Sequence, residues 1–462
     1  MRHVGAFLLC LFLTLAAHLP VRAAVKQPLS EQYIASYFTT VAAASCLGVY
    51  LPDTSSEFSF LRSYGWDVEA KEETEGEVET HFAIAHRYFP EFKRELYLVT
   101  FRGSASKKDW KLNLKTKHVN YGGATLEEMA QLAAEPYKKN APAVHAGFNS
   151  YVDTVLRAAV VDENSRFKGV FASVAAKPEA YLILTGHSLG GAVATLLGER
   201  LASLGLDKDK FTVVTFGAPA IGNAEFAEQY ADKINLYRIT NTKDPVPGSL
   251  QTFFRGYKQF GQQQKYDMNV KRSGMQHDIA MYFDYTVGEY FRVFDREVEL
   301  DRLSPIPVRK TAPGTPLVAL WVQKSAKLES LTYAADLERF AVEEYERMLP
   351  AYVVMAKQLE ADAYRVTDII SESKKAGADY VLVLGIEGSR PRNEKFWYLT
   401  LHQSLFAADG RMLLMNSIGN KTAAAVGNIQ ALGQNLLDAR RQLAEHLEFL
   451  EKDVDMLAGG EA

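Results

Sequence analysis

A serine between two glycines follows a short apolar segment in this chain. Residues 181–184 are apolar enough for a buried strand, and the small residues 192–201 favour a helix. The segment between them reads Gly186, His187, Ser188, Leu189 and Gly190. A strand, a sharp turn and a helix in this order form a nucleophile elbow, in which the glycines let strand and helix approach closely. The spacing therefore indicates Ser188 as a nucleophile for acyl transfer.

A serine hydroxyl is a weak nucleophile at neutral pH, so such a site also needs a base. Three histidines follow the turn: His277, His402 and His446. His402 alternates with leucines in a strand pattern, and His446 stands among charged residues of a helical pattern. His277 lies in a glycine-bearing loop before a helical pattern over residues 279–294, which suits a solvent-reachable base. We therefore expect His277 to be the base.

The acid should lie between nucleophile and base in the chain order of α/β-hydrolases. A strand-like segment over residues 234–240 is followed by Asp244, which precedes Pro-Val-Pro. Catalytic groups of open α/β sheets gather at the carboxyl ends of strands, whereas an Asp-Pro pair by itself also forms ordinary turns. Order and position favour Asp244 as the residue that orients His277. The backbone N–H of Leu189 is the first oxyanion donor expected.

Six segments in order resemble the fungal-type, or class 3, lipase family over roughly residues 33–294. They are residues 96–106, Asp109-Trp110, His145-Ala-Gly-Phe148, the elbow, Thr215-Phe-Gly-Ala-Pro-Ala-Ile-Gly-Asn223, and Asp244-Pro-Val-Pro247 with His277. The resemblance implies an α/β-hydrolase catalytic domain and assigns Ser104 as the second oxyanion donor. The substrate class is left open, because the family includes triacylglycerol lipases, phospholipases and feruloyl esterases.

The segment in the position of the family's lid departs from an amphipathic helix. Its apolar residues Trp110, Leu112 and Leu114 alternate as in a strand, and five lysines occur over residues 107–117. A basic flap with a tryptophan favours anionic lipid headgroups, which would bring the protein to a membrane surface. An ordinary solvated loop is the alternative interpretation.

The amino-terminal residues have the three parts of a secretory signal. A basic start, an apolar stretch over residues 4–17 and a small-residue end predict a signal peptide over residues 1–23, cleaved after Ala23 or Ala24. The apolar stretch is short of the roughly 20 residues that span a membrane. Cleavage leaves Cys46, interpreted as a buried small hydrophobe, so no intrachain disulfide is possible. Secretion without disulfides indicates a bacterial envelope or periplasmic protein.

Length and composition are consistent with two domains. The 462 residues carry a formal net charge of −4, so the composition does not show the excess of basic residues typical of nucleic-acid-binding proteins. A proline-rich linker is expected at 301–316, between a hydrolase domain over 27–300 and a smaller α+β domain over 317–462. The second domain has no recognisable chemistry, and neither a metal site nor a cofactor is expected in the chain.

The second domain should end in a long helix with a seven-residue apolar repeat. Its seam consists of Ile429, Leu436, Leu443, Leu450 and Leu457, widened by Leu432, Leu447 and Val454. Packing against the domain's own sheet is one interpretation. A coiled-coil or other protein partner is the alternative, because a sustained seven-residue repeat supports supercoiling.

These features predict a serine carboxylic-ester hydrolase that acts on lipid or small esters through an acyl-enzyme intermediate. An acyltransferase would use the same three residues and pass the acyl group to another alcohol. A non-catalytic scaffold that kept the fold is the third hypothesis, although such a protein would not need the three residues.

Overall fold

The computed structural model of the chain describes residues 30–50, 58, 61–62, 64–75, 78–89, 93–103, 118–161, 166–253, 256–267, 276–330, 333–355, 365–389, 398–421 and 428–450. It divides into two compact units between Tyr282 and Phe283. The predicted signal peptide, Ser104 and the lid residues Trp110, Leu112 and Leu114 lie outside the described residues. Within the described part of the chain, no helix combines the length and the apolar character needed to cross a bilayer.

The strands of unit 1 are β1 (Asp67–Glu75), β2 (Val78–Phe89), β3 (Arg94–Phe101), β4 (His118–Asn120), β5 (Ala143–His145), β6 (Ala180–His187), β7 (Phe211–Phe216), β8 (Leu236–Asn241) and β9 (Gln262–Tyr266). Seven of them form a sheet in the order β1-β2-β3-β6-β7-β8-β9, and β4 pairs with β5. The pairs β1–β2 and β2–β3 are antiparallel. Strands β3, β6, β7, β8 and β9 run parallel, so their carboxyl ends share one edge of the sheet.

The helices of unit 1 are α1 (Glu31–Gly48), α2 (Leu126–Ala134), α3 (Ala146–Val161), α4 (Arg166–Ala176), α5 (Leu189–Ser203), α6 (Ala224–Tyr230) and α7 (Val246–Phe253). Helix α8 (Ile279–Glu299) contains the division between the two units. The side chain of Ser30 caps α1 by accepting from the N–H of Tyr33.

Central strand β6 is buried along its whole length, as expected for a parallel strand covered on both faces. Leu182 and Leu184 point into the core formed with α3, α4 and α5. On the other face, Cys46 of α1 lies 3.5 Å from the hydroxyl of Thr185. Burying each leucine side chain contributes roughly 1.5–3 kcal/mol, so β6 is a major source of stability for the sheet.

Helix α5 forms although it contains three glycines, and glycine is a poor helix former. Close packing on the sheet explains the composition. A Cβ atom at Gly198 would lie 2.8 Å from Cγ2 of Val213 on β7. The glycines lower the intrinsic helix propensity but allow a short distance between helix and sheet. The amino terminus of α5 therefore lies directly at the end of β6.

Unit 2 has its own mixed sheet. Its strands are β10 (Arg309–Lys310), β11 (Val318–Lys324), β12 (Tyr352–Val354), β13 (Tyr380–Ser389), β14 (Tyr398–Ala407) and β15 (Met412–Lys421), in the order β10-β12-β11-β13-β14-β15. Its helices after α8 are α9 (Ala334–Met348), α10 (Val366–Lys375) and α11 (Asn428–His446). The α+β class predicted for this region is confirmed. Residues 301–316, predicted as a linker, contain β10, which pairs antiparallel with β12.

The apolar seam of helix α11 is buried within unit 2. Ile429, Leu432, Leu436 and Leu443 have no exposed surface. Asn435 donates to the carbonyl of Leu399 on β14, and Arg440 forms a buried ion pair of 2.8 Å with Glu344 on α9. Packing against the unit's own sheet therefore accounts for the described part of the repeat, and a coiled-coil partner is not supported. Val454 and Leu457 lie outside the described residues.

Candidate active site

Ser188 stands at the turn between β6 and α5 in a strained backbone conformation. Its φ and ψ angles are 59° and −126°, a combination that residues other than glycine rarely adopt. A Cβ atom at Gly186 would lie 2.2 Å from the carbonyl carbon of Gly190, and one at Gly190 would lie 2.0 Å from the carbonyl oxygen of Phe101. The two glycines are thus required by contact, and the turn has the geometry of the predicted elbow.

His277 links Ser188 to Asp244. Its Nε2 atom lies 2.8 Å from the hydroxyl oxygen of Ser188, and its Nδ1 atom lies 2.8 Å from Oδ2 of Asp244. The carboxylate is fully buried, whereas the His277 side chain is 24% exposed. A carboxylate accepts from Nδ1–H, so Nε2 is left with a lone pair that faces the serine hydroxyl. This arrangement can remove the serine proton and stabilise the resulting imidazolium.

The elements that carry these three residues explain the contact. Ser188 follows β6 and Asp244 follows β8, so both lie at the carboxyl edge of the parallel strands. His277 lies in the turn just before α8. The structure therefore brings together three residues that the sequence predicted from chain order, across separations of 33 and 89 residues.

Hydrogen bonds hold the Asp244 carboxylate in place. The N–H of Val246 donates to Oδ1 at 2.9 Å, and the hydroxyl of Tyr282 donates to Oδ2 at 2.7 Å. Burial, and then the neighbouring Asp244 charge, raise the pKa of Tyr282 well above its ordinary value, so the hydroxyl remains a donor. Gly217 has a φ of 59° and lies so close that a Cβ atom there would be 2.7 Å from Oδ2 of Asp244.

The elbow residue His187 contacts the base from the other side. Its Nε2 atom lies 2.8 Å from the carbonyl oxygen of His277, and its Nδ1 atom lies 3.0 Å from the hydroxyl of Tyr50. Burial, followed by the nearby His277, lowers the pKa of His187 well below its ordinary value. The ring is therefore neutral at physiological pH.

Of the two expected oxyanion donors, Leu189 lies within the described residues and Ser104 lies outside them. Leu189 is the first residue of α5, where backbone N–H groups have no partner within the helix and can bind an anion. Gly103, the last described residue before Ser104, lies beside the elbow. A Cβ atom on it would be 3.3 Å from Cβ of Ser188. The assignment of Ser104 stays a prediction.

Sequence reasoning missed Tyr50, Gly217 and Tyr282. Tyr282 is five residues beyond His277, which is not the three- or four-residue spacing of helical neighbours, and His277 precedes the helix, so no local pattern indicated this residue. Nothing in the sequence could have indicated Tyr50, which is 137 residues from its partner His187. Gly217 lies within a segment quoted for the family resemblance, yet only its positive φ and its contacts explain the glycine.

The remaining candidate residues have partners of their own. Cys46 is buried, and burial raises the pKa of its thiol to about 12, so it behaves as the small hydrophobe that the sequence indicated. His402 pairs with the hydroxyl of Ser417, and His446 with the carbonyl of Gln442 at the end of α11. Across the described residues, no group of His, Cys, Asp and Glu is arranged to hold a metal ion.

A mostly parallel sheet with a nucleophile elbow after its central strand defines an α/β-hydrolase fold, which confirms the predicted fold class. Residues 98–254 match the family model described as Lipase (class 3). The resemblance stated from the six segments is therefore confirmed over this part of the chain.

Two curated relatives match part of the chain. The secreted mono- and diacylglycerol lipase 1 of Fusarium solani is 32% identical over 169 residues, which cover 36% of this chain and 42% of the relative. The phospholipase A1-II 1 of Oryza sativa subsp. japonica is 26% identical over 225 residues, which cover 44% of this chain and 53% of the relative. The chain thus spans about half the length of the curated relatives it matches.

A solved structure is also similar to about half of the chain. The triacylglyceride lipase of Rhizomucor miehei is 23% identical, with a TM-score of 0.39. The match covers 53% of this chain and 82% of that one.

Proposed function

We propose that this chain hydrolyses carboxylic esters of lipids, with Ser188 as nucleophile, His277 as general base and acid, and Asp244 as the residue that orients His277. The observation that carries the proposal is the position of the His277 ring. Its two nitrogen atoms lie 2.8 Å from the Ser188 hydroxyl and 2.8 Å from the Asp244 carboxylate. A histidine in this position can take a proton from one side while its tautomer is fixed from the other.

The proposed reaction has two halves. The Ser188 oxygen attacks the ester carbonyl carbon while its proton passes to Nε2 of His277. That proton then goes to the departing alkoxide, and an acyl-enzyme remains. A water molecule next attacks the acyl carbon and gives its proton to His277, which returns it to Ser188 as the carboxylic acid leaves. The N–H of Leu189 and a donor from Ser104 would stabilise the oxyanion in both halves.

Lipid esters are the substrate class favoured by the relatives. The two curated relatives are named as a mono- and diacylglycerol lipase and a phospholipase A1, and both names describe enzymes for glycerolipid carboxylic esters. The basic segment 107–117 with Trp110 is consistent with a lipid surface, although it lies outside the described residues. We therefore place glycerolipids before small soluble esters as substrates.

The test compares the wild type with S188A on p-nitrophenyl butyrate, emulsified trioctanoin and phosphatidylcholine vesicles. S150A is a matched control, because Ser150 is exposed on α3 and bonds its own helix. We expect S188A to lose at least about a thousandfold in rate and S150A to be unchanged. Hydrolysis that survives in S188A would contradict the proposal, and the preferred substrate of the wild type identifies the ester class.

An acyltransferase would share Ser188, His277 and Asp244 and differ in the acceptor. Product analysis separates the two reactions when an acyl donor is supplied together with glycerol. Free fatty acid as the main product supports hydrolysis, whereas a new glycerol ester as the main product supports transfer.

Secretion through residues 1–23 is part of the proposal, since the Fusarium solani relative is named as secreted. Expression in a Gram-negative bacterium, followed by cell fractionation and amino-terminal sequencing, tests it. A processed chain that begins after Ala23 or Ala24 in the periplasm or medium is expected. An unprocessed chain in the cytoplasm would contradict the assignment.

A further inference from the structure

Both ring nitrogens of His187 are engaged, and the partners fix the tautomer. The carbonyl oxygen of His277 can only accept, so the hydrogen lies on Nε2, which is 2.8 Å away. The ring is 6% exposed and neutral, so Nδ1 has no hydrogen and accepts from the hydroxyl of Tyr50 at 3.0 Å. A residue of the elbow therefore holds the main chain of the base.

The Tyr50 hydroxyl also reaches the end of β3. It accepts a hydrogen bond from the backbone of Gly103. A Cβ atom at Gly103 would lie 2.3 Å from that hydroxyl oxygen and 2.6 Å from the carbonyl oxygen of His187. Any residue other than glycine at position 103 would therefore require its neighbours to shift. Through these contacts, the Tyr50 hydroxyl links the elbow to the end of β3, just before Ser104.

His277 needs such support because it lies in a turn rather than inside a helix or strand. In the proposed reaction its ring changes charge twice while Nε2 must stay aligned with Ser188. The rings of His187 and His277 have centroids 4.5 Å apart. A charged His187 would oppose the imidazolium that forms on His277, so a neutral partner is required at this distance.

We propose that Tyr50 and His187 form a positioning pair for His277. The Tyr50 hydroxyl holds the His187 ring in place by donating to Nδ1, and the Nε2–H of His187 holds the His277 carbonyl so that the base stays on Ser188 through the catalytic cycle. This inference rests on the proposed function of Ser188, His277 and Asp244. It adds two residues that do not touch the substrate and act through the base.

Four variants separate positioning from simple structural support. Y50F removes the hydroxyl that donates to Nδ1 of His187. H187Q keeps an amide N–H about where Nε2 lies, whereas H187N carries its amide near the position of Nδ1 and falls short of the His277 carbonyl. Y181F is the matched control, because it removes the hydroxyl of a buried tyrosine on β6 that lies 2.5 Å from the hydroxyl of Thr212.

We expect kcat to fall about three- to tenfold in Y50F and H187N with KM little changed, which corresponds to the loss of one hydrogen bond. H187Q should retain most of the wild-type kcat. Y181F should lose stability without losing kcat. The double variant Y50F/H187N should lose no more than H187N alone, because Tyr50 acts through His187.

The pH profile gives a readout that a structural role would not move. The titratable groups that face His187 are Tyr50, His277 and Tyr282, and Arg102 and Asp278 lie near the Tyr50 hydroxyl. The Tyr50 hydrogen bond favours the neutral form of His187, so its removal lets the ring protonate more easily. The kcat deficit of Y50F should therefore widen as pH falls from about 8 to about 5.

Nitrogen NMR of histidine-labelled protein tests the pair without an activity assay. The wild type should show one neutral His187 tautomer with its hydrogen on Nε2 and with a hydrogen-bonded Nδ1, and Y50F should show the same tautomer with the Nδ1 resonance shifted by the loss of that bond. An unchanged Nδ1 resonance in Y50F, or a kcat of Y50F equal to that of the wild type at every pH, would overturn the positioning role while Ser188-dependent hydrolysis persists. Failure of the proposed function would instead appear as hydrolysis that S188A does not abolish.

Discussion

The hydroxyl of Tyr282 donates to the same oxygen of Asp244 that accepts from His277. The Tyr282 oxygen lies 2.7 Å from Oδ2, and Nδ1 of His277 lies 2.8 Å from it. Tyr282 is itself held by the N–H of Asn241, 3.2 Å away at the end of β8. The hydroxyl therefore connects the strand that leads to the acid with the helix that follows the base.

Removing this hydroxyl should weaken catalysis without abolishing it. In Y282F the Asp244 carboxylate loses one donor and is less firmly oriented toward His277. We expect kcat to fall roughly three- to tenfold, with KM unchanged, because one hydrogen bond to a charged group is worth about 1.5–3 kcal/mol and part of it is recovered by water. Steady-state kinetics on a soluble ester measures the effect.

Tyr285 provides the control for Y282F. Its hydroxyl donates to the carboxylate of Glu289 at 3.2 Å, one turn further along the same helix. Y285F thus removes the same kind of hydrogen bond from a carboxylate other than Asp244. Equal kcat losses in Y282F and Y285F would show that the effect is general destabilisation rather than loss of Asp244 orientation.

A methyl group at Gly217 should separate Asp244 from His277. A Cβ atom there would lie 2.7 Å from Oδ2 of Asp244 and 3.1 Å from Nδ1 of His277. Contact at these distances pushes the two side chains apart. We therefore expect G217A to lower kcat by more than about tenfold, measured together with the thermal unfolding midpoint.

Gly205 offers a matched backbone position for this experiment. Its φ is 96°, and a Cβ atom there meets nothing within 4 Å. G205A should cost roughly 1–2 kcal/mol of stability through backbone strain alone and leave kcat unchanged. If G217A lost stability to the same extent and kept its kcat, the proposed conflict with Asp244 and His277 would be wrong.

Glu199 should make the stability of unit 1 depend on pH. Its side chain is buried on α5, and burial raises its pKa from 4.5 to about 8 against the opposing influence of Lys233 and Arg200. In the folded protein it is protonated at pH 6, whereas in the unfolded chain it is ionised. The stability gained from holding Glu199 protonated in the fold is therefore fully present below pH 4.5. It is lost as the pH rises to about 8, because the buried side chain then has to ionise.

The comparison with E199Q isolates this titration. Relative to E199Q, the free energy of unfolding of the wild type should fall across that pH window, by up to roughly 5 kcal/mol. Chemical denaturation at several pH values measures the difference, and E127Q at an exposed position of α2 is the control. Parallel pH curves for the wild type and E199Q would contradict the assignment.

Truncating the seam of α11 should destabilise unit 2 without changing the oligomeric state. Leu436 has no exposed surface, so L436A leaves a cavity and should cost about 2–5 kcal/mol. E445A, at an exposed position of the same helix, should cost little. Denaturation and light scattering measure the two quantities. A change of oligomeric state in L436A with unchanged stability would revive the partner interpretation.

Much of the local architecture could be read from the sequence because it depends on neighbouring residues. The apolar segment, the glycines and the small-residue helix specify the turn at Ser188 within about twenty residues. The smaller α+β domain expected over residues 317–462 likewise contains a sheet, which includes β13, β14 and β15. The burial of the α11 repeat could not be decided in this way, since a seam has the same spacing whether it packs inside a domain or on a partner.

By itself, the sequence determined the elbow, the residue types of the site and their order along the chain. The tertiary structure decided which of them meet. Asp244 and His277 are brought within 2.8 Å because parallel strands end at one edge of the sheet and a turn delivers the histidine there. The contacts of Tyr50, Gly217 and Tyr282 depend on packing between segments distant in sequence. No local pattern encodes such contacts, because their energy is gained only once the whole sheet has formed.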